Sequence, residues 1–297
     1  MALPARWRNI AGAACLVSAV FSCLVEGAAT GVFYQPLNRD RHLTVADWRS
    51  LMSNVRQAGY KQLVVQWSQY GEQHFLDSES PVTLLLDAAR EQALDVWLGL
   101  SADPEQFKHD WTRDSRRCYV ESQFANFAAD LKILPVNYPE LPQNVAGWFI
   151  PLELFDLDLT SAASVLHLKQ QLQALQQHTK KPIMISVFAN GQLAPVLFRK
   201  ALQQLQMSGV QLWLQDGSGA ALVSPDYRQE LLAALDCDVG LIVEAFRDGS
   251  YDGEFAARSA SSTELQQALA EIKPCHNVLL FSLRYLSLSN ALLPLKD

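Results

Sequence analysis

Short, nearly continuous apolar runs alternate with longer amphipathic stretches from residue 31 onward. The runs fall at residues 31–36 (GVFYQP), 62–68 (QLVVQWS), 96–100 (VWLGL), within 145–154 (VAGWFIPLEL), 182–188 (PIMISVF), 210–216 (VQLWLQD), 239–246 (VGLIVEAF) and 277–284 (NVLLFSLR). Runs of this kind predict strands buried on both faces. Between them the spacing predicts helices at about residues 44–58, 81–92, 115–134, 161–179, 194–207, 225–235 and 262–272. Thr44 is a favourable N-cap, Pro81 and Pro225 suit a first turn, and Gly59 and Gly209 are stop signals. Pro135 is expected to end the third helix, and Lys180 and Lys181 to close the fourth. Eight strands alternating with helices over about 250 residues predict an α/β protein: one (β/α)8 TIM barrel. An open doubly wound sheet also alternates, but it carries a glycine-rich phosphate turn after its first strand, and here that turn reads QPLNRD.

The first residues follow another pattern. Arg6 and Arg8 precede an uncharged stretch, 10–25, and Gly27-Ala28-Ala29 offers small residues for cleavage. This predicts a secretory signal peptide over residues 1–29 and a barrel domain over 30–297, placing the protein in the bacterial periplasm or outside the cell. A retained amphiphilic anchor is the alternative. The uncharged stretch is too short to span a bilayer comfortably, so no integral membrane span is expected.

The chain has 297 residues, 49% hydrophobic and 19% charged, a composition that excludes fibrous and disordered classes. Its net charge of −7 argues against nucleic acid as a partner. Once Cys15 and Cys23 leave with the leader, Cys118, Cys237 and Cys275 remain, with no CxxC or Cys/His cluster for zinc. Cys237 and Cys275 precede strands seven and eight, which are parallel neighbours in a barrel. A disulfide between them is therefore expected, far from the mouth, with Cys118 free.

In such a barrel, chemistry gathers at the C-terminal ends of the strands. Glu153 and Glu244 each interrupt an apolar strand there, where an unpaired carboxylate is costly. A pairing with Arg284 or Arg39 would make either one purely structural. Around the same mouth Tyr34, Gln35, Gln66, Trp67, Tyr70 and Gln215 combine aromatic faces with amides, the groups that hold sugar rings; Trp148 and Phe188 also fall nearby. Asp216 either serves this site or caps the turn at Gly217-Ser218-Gly219, and Arg284 ends strand eight. The six histidines fall in predicted helices and loops and read as surface residues, so neither a Ser-His triad nor a histidine metal site is indicated, and no metal or cofactor is expected. Paired carboxylates beside a sugar-binding surface point to glycoside hydrolysis.

The stretches GVFYQPLNRDRHLTVADW, QLVVQWSQYG, GWFIPLELFD and LWLQDG resemble the bacterial domain-of-unknown-function family 4434, over roughly residues 31 to 290. That resemblance implies a glycoside-hydrolase-like barrel. The wider resemblance is to the retaining-glycosidase clan, which implies an acid/base at Glu153, after strand four, and a nucleophile at Glu244, after strand seven. The clan's acid/base follows Asn, whereas Leu152 precedes Glu153; Asp156 or Asp216 is the alternative partner. The expected function is an exported glycosidase acting on an envelope or extracellular polysaccharide, with polysaccharide-secretion components as candidate partners. A non-catalytic glycan-binding barrel that assists export, or a structural partner in an envelope complex, are the rivals.

Overall fold

The computed structural model describes residues 29–77, 80–250, 256–289 and 291–295. The expected signal peptide lies outside these residues except for Ala29, which is 4% exposed and packs into the core. Eight parallel strands close on themselves: β1 (Gly31–Tyr34), β2 (Gln62–Val65), β3 (Asp95–Gly99), β4 (Gly147–Leu154), β5 (Ile183–Val187), β6 (Val210–Gln215), β7 (Gly240–Glu244) and β8 (Val278–Phe281). β8 pairs back onto β1, with Gly31 opposite Leu279. Among the described residues, seven helices of nine or more residues surround them: α1 (Val45–Gln57), α2 (Pro81–Glu91), α3 (Arg113–Asn137), α4 (Ala162–Gln176), α5 (Pro195–Leu205), α6 (Pro225–Ala234) and α7 (Ser262–Ala270). After β8 a 3-10 turn, Leu283–Tyr285, leads into a tail whose Leu283, Leu286 and Leu293 are buried.

The local signals act as the residue types require. Thr44 Oγ1 accepts from the Asp47 amide while Asp47 reaches back to Thr44, forming a capping box. Lys181 Nζ donates to the Val145 carbonyl, tying the end of the α4 region to the start of β4. Pro135, expected to stop α3, lies inside it, and the helix runs on to Asn137. A proline so near the end removes only one late hydrogen bond, which the final turn tolerates.

Alternation along the strands builds the interior. Phe33, Val64, Trp97, Phe149, Met184, Trp213, Ile242 and Leu279, one from each strand, pack together inside the barrel. Their neighbours, such as Tyr34, Val65, Trp148 and Leu214, face the helices. Trp148 is therefore not at the mouth: its Nε1 donates to Thr179 Oγ1 under the helical layer. Gly147 and Gly240 make room for the tryptophans, since a Cβ at either would fall within 2.3 and 2.4 Å of the Trp97 and Trp213 rings.

At the N-terminal end of the strands Cys237 and Cys275 are joined as expected, with Cα atoms 5.5 Å apart and 38 positions between them in sequence, and Cys118 is free and exposed. His276, expected at the surface, is instead 8% exposed, with its Nδ1 2.9 Å from the Val239 carbonyl. It lies within 4.8 Å of both cysteine sulfurs, which are bonded to each other. No described helix is long and apolar enough to cross a membrane.

Candidate active site

Two residues beyond the interior ring, period-two alternation brings Gln35, Gln66, Pro151, Gln215, Glu244 and Phe281 inward at the C-terminal end. These six line a cavity of about 650 Å³, with Trp67, Tyr70, Glu153 and Asp216 also in its wall. Glu153 reaches the same space through an irregularity in β4. Ile150 pairs with Ile185 and Leu154 with Val187, so Pro151, Leu152 and Glu153 together face Ser186 alone. Such a bulge re-aims a side chain at a barrel rim.

The surroundings of the two glutamates differ. Glu244 Oε2 accepts from the amides of Gly219 at 2.6 Å and Ala220 at 2.8 Å. A side chain at position 219 would meet Oε2 at 2.9 Å, so a glycine is needed for this approach. Burial raises the Glu244 carboxyl to about 7, and the Asp216 charge adds to the shift; the two amides oppose it, and Glu153 contributes further repulsion. Glu153 is also pushed up to about 7 by burial, with a Gln215 hydrogen bond and the Arg116 charge pulling the other way. Neither glutamate pairs with Arg284 or Arg39. Arg116 forms its two-pronged bond with Asp158, at 2.9 Å to each oxygen, and donates to the main-chain oxygen of Glu153.

Trp67 Nε1 donates to the Pro36 carbonyl, and its ring lies 4.7 Å from that of Tyr70, centroid to centroid. Gln66 Oε1 is buried without a hydrogen-bond partner. Asp216 holds the turn and also bonds the main chain of Glu244. Its Oδ1 accepts from the Ser218 amide and hydroxyl, holding the turn, and from the Glu244 amide at 3.0 Å. Its Oδ2 accepts from Arg228 at 2.7 Å, so its oxygens are already bonded within the protein.

Two residues expected to contact sugar do not line this cavity. Tyr34 faces outward from β1, and its hydroxyl donates to Asp40 at 2.9 Å. Arg284 lies in the turn after β8 and also binds Asp40, at 2.7 Å, with 5% of its side chain exposed. Asp156, the alternative partner, accepts from the Asn190 and Leu193 amides and is fully buried. The sequence reading missed Phe246, Phe281, Leu222 and Val223, which line the cavity, and the amides of Gly219 and Ala220. Counting by twos from Leu279 would have found Phe281; the amides leave no signature in side-chain type.

The closed eight-stranded parallel barrel is a (β/α)8 TIM barrel, and carboxylates from β4 and β7 share one cavity at the C-terminal ends of its strands. The chain belongs to DUF4434, a domain of unknown function whose family model matches residues 29–290. It is 32% identical over 279 residues to the uncharacterised protein YbcH of Escherichia coli K12, covering 90% of this chain and 93% of that one. Among solved structures, a proposed α-L-fucosidase from Bacteroides thetaiotaomicron shares 13% identity at a TM-score of 0.60, over 86% of this chain and 85% of the other. A D-psicose 3-epimerase from Clostridium cellulolyticum shares 14% at 0.44, over 85% and 84%. At 13% identity the likeness to the Bacteroides structure is one of fold, and the barrel fold hosts many chemistries.

Proposed function

We propose that the protein is an exported glycoside hydrolase acting on an envelope or extracellular polysaccharide. The observation that carries this reading is the pair Glu153 and Glu244 lining one cavity, with burial raising both carboxyls to about 7 and the Glu153 charge adding to the shift at Glu244. Such a pair gives up its protons in two steps, and between them holds one proton and one charge, the state that acid-assisted glycosidic cleavage needs. Glu244 takes the charge, because two amide donors fix Oε2 and leave its other oxygen for a sugar carbon. Glu153 keeps the proton and serves as the general acid toward the leaving oxygen, then as base toward water. Gln35, Gln66, Trp67, Tyr70 and Gln215 supply the sugar platform, and the unspent Gln66 acceptor suits a hydroxyl donor.

Release of reducing ends from a panel of defined envelope polysaccharides tests the reading. Glu153→Gln and Glu244→Gln should each lower the rate roughly 10²–10⁴-fold. Activity that survives both substitutions refutes it. One observation favours the rival, a non-catalytic glycan-binding barrel: the Asp216 charge disfavours an ionised Glu244. Binding without cleavage by the unaltered protein would support that rival.

A further inference from the structure

The cavity is wider than the sugar platform. Its lining also includes the aliphatic residues Ala189, Leu214, Leu222, Val223, Leu231 and Leu232, contributed in part by β6 and α6, which form a β6–α6 chamber. Leu214 faces the helices, unlike Trp213 beside it on β6, and Leu231 and Leu232 belong to α6. Aliphatic side chains offer a sugar hydroxyl no hydrogen bond, and a wall built largely of them favours apolar contact over water. It suits an aliphatic group carried by the sugar. The charges narrow the choice. Asp103, Glu153, Asp216 and Glu244 line the cavity, and among the described lining residues the sole cation is Arg228. Its guanidinium is already bonded to Asp216 and Glu271. A ligand carboxylate, sulfate or phosphate would meet four acids and no unspent cation.

We infer that the site takes an uncharged glycan bearing a short acyl group, with the acyl chain in the β6–α6 chamber and the ring on the Trp67–Tyr70 side. This rests on the sugar-site reading above but does not require turnover. Calorimetric titration of the intact protein with gluco- and galacto-configured N-acetyl, N-propanoyl and N-butanoyl hexosamines, the parent hexoses and the matching uronates tests it. Affinity should rise about fourfold for each added methylene, the gain expected from burying one CH₂, and the uronates should not bind. Ala189→Leu fills the chamber and should abolish the dependence on chain length. Leu222→Ser, at a position 57% exposed where folding is not at risk, should weaken it. Equal affinity for parent and acylated sugars, or binding of the uronates on a par with them, overturns the inference and leaves a sugar site standing. Failure of every sugar in the panel to bind overturns both.

Discussion

Two sets of acidic side chains deep in this barrel contrast with each other. Asp40, Asp158 and Asp216 each face an arginine: Arg284 at 2.7 Å, Arg116 at 2.9 Å and Arg228 at 2.7 Å. Asp158 and Asp216 tie strand-end segments to helices and Asp40 ties two turns together, and their oxygens are occupied by donors from the protein. Glu153 and Glu244 have no such cation, and burial raises both to about 7. The first kind is charge bought back by a partner, whereas the second is charge held at a cost. A fold keeps an uncompensated pair in a cavity when the pair meets something other than protein, which is why perturbed carboxyls mark candidate sites.

The sharpest way to break this contrast is to remove a paired acid. Asp40→Ala leaves the Arg284 guanidinium, 4% exposed, without its ion-pair partner and deprives the Tyr34 hydroxyl of its acceptor. Breaking one half of a buried pair costs about 3–5 kcal/mol. A denaturant titration should show that loss at neutral pH. The double change Asp40→Leu with Arg284→Met should lose less than Asp40→Ala alone, because no charge is then stranded. A loss under 1 kcal/mol for Asp40→Ala would place Asp40 with the idle surface acids instead.

The unpaired acids should behave in the opposite sense. In the folded protein the Glu153 carboxyl is raised above its unfolded value, so the folded state binds its proton more tightly. Its contribution is therefore present at pH 4 and is lost as pH rises through about 7. Glu153→Gln removes the group that must ionise. It should leave stability nearly unchanged at pH 4 and raise it by roughly 2–3 kcal/mol at pH 8. Thermal melts of both proteins at the two pH values check this, and equal differences at both would mean that Glu153 ionises freely.

Much of this was legible in the chain because burial on both faces writes itself as apolar runs. All eight strands appear in VFY, LVV, VWLG, WFIPLEL, IMISV, QLWL, LIVE and VLLF, and a glutamate inside such a run is conspicuous. The disulfide followed from the adjacency of β7 and β8. What sequence could not fix was the face of each side chain at a strand end, where a step of one residue exchanges cavity for helical layer. Tyr34 and Gln35 both look like mouth residues, yet only Gln35 lines the cavity. Arg284 reads as the end of strand eight, but β8 stops at Phe281 and the turn that follows carries Arg284 to Asp40. The β6–α6 chamber was equally hidden, since its leucines are those any barrel places between sheet and helix.

Asp216 stands between the two kinds, paired to Arg228 and at the same time bonded to the Glu244 amide, so a change there tests how separate they are. Asp216→Asn keeps an oxygen for Ser218 and for that amide, and Arg228 keeps Glu271 and the main-chain oxygen of residue 216. The loss is one charge-assisted hydrogen bond, on the order of 1–2 kcal/mol at pH 5. The Glu244 carboxyl also loses its largest repulsive neighbour, and its pKa falls toward the ordinary carboxylate range. At pH 8 ionised Glu244 is then less strained, which offsets part of the lost bond. Asp216→Asn should therefore destabilise more at pH 5 than at pH 8, and a carboxyl-resolved NMR titration should show Glu244 ionising at lower pH. A uniform loss at both pH values, with the Glu244 titration unmoved, would make Asp216 a turn residue that happens to sit beside the pair.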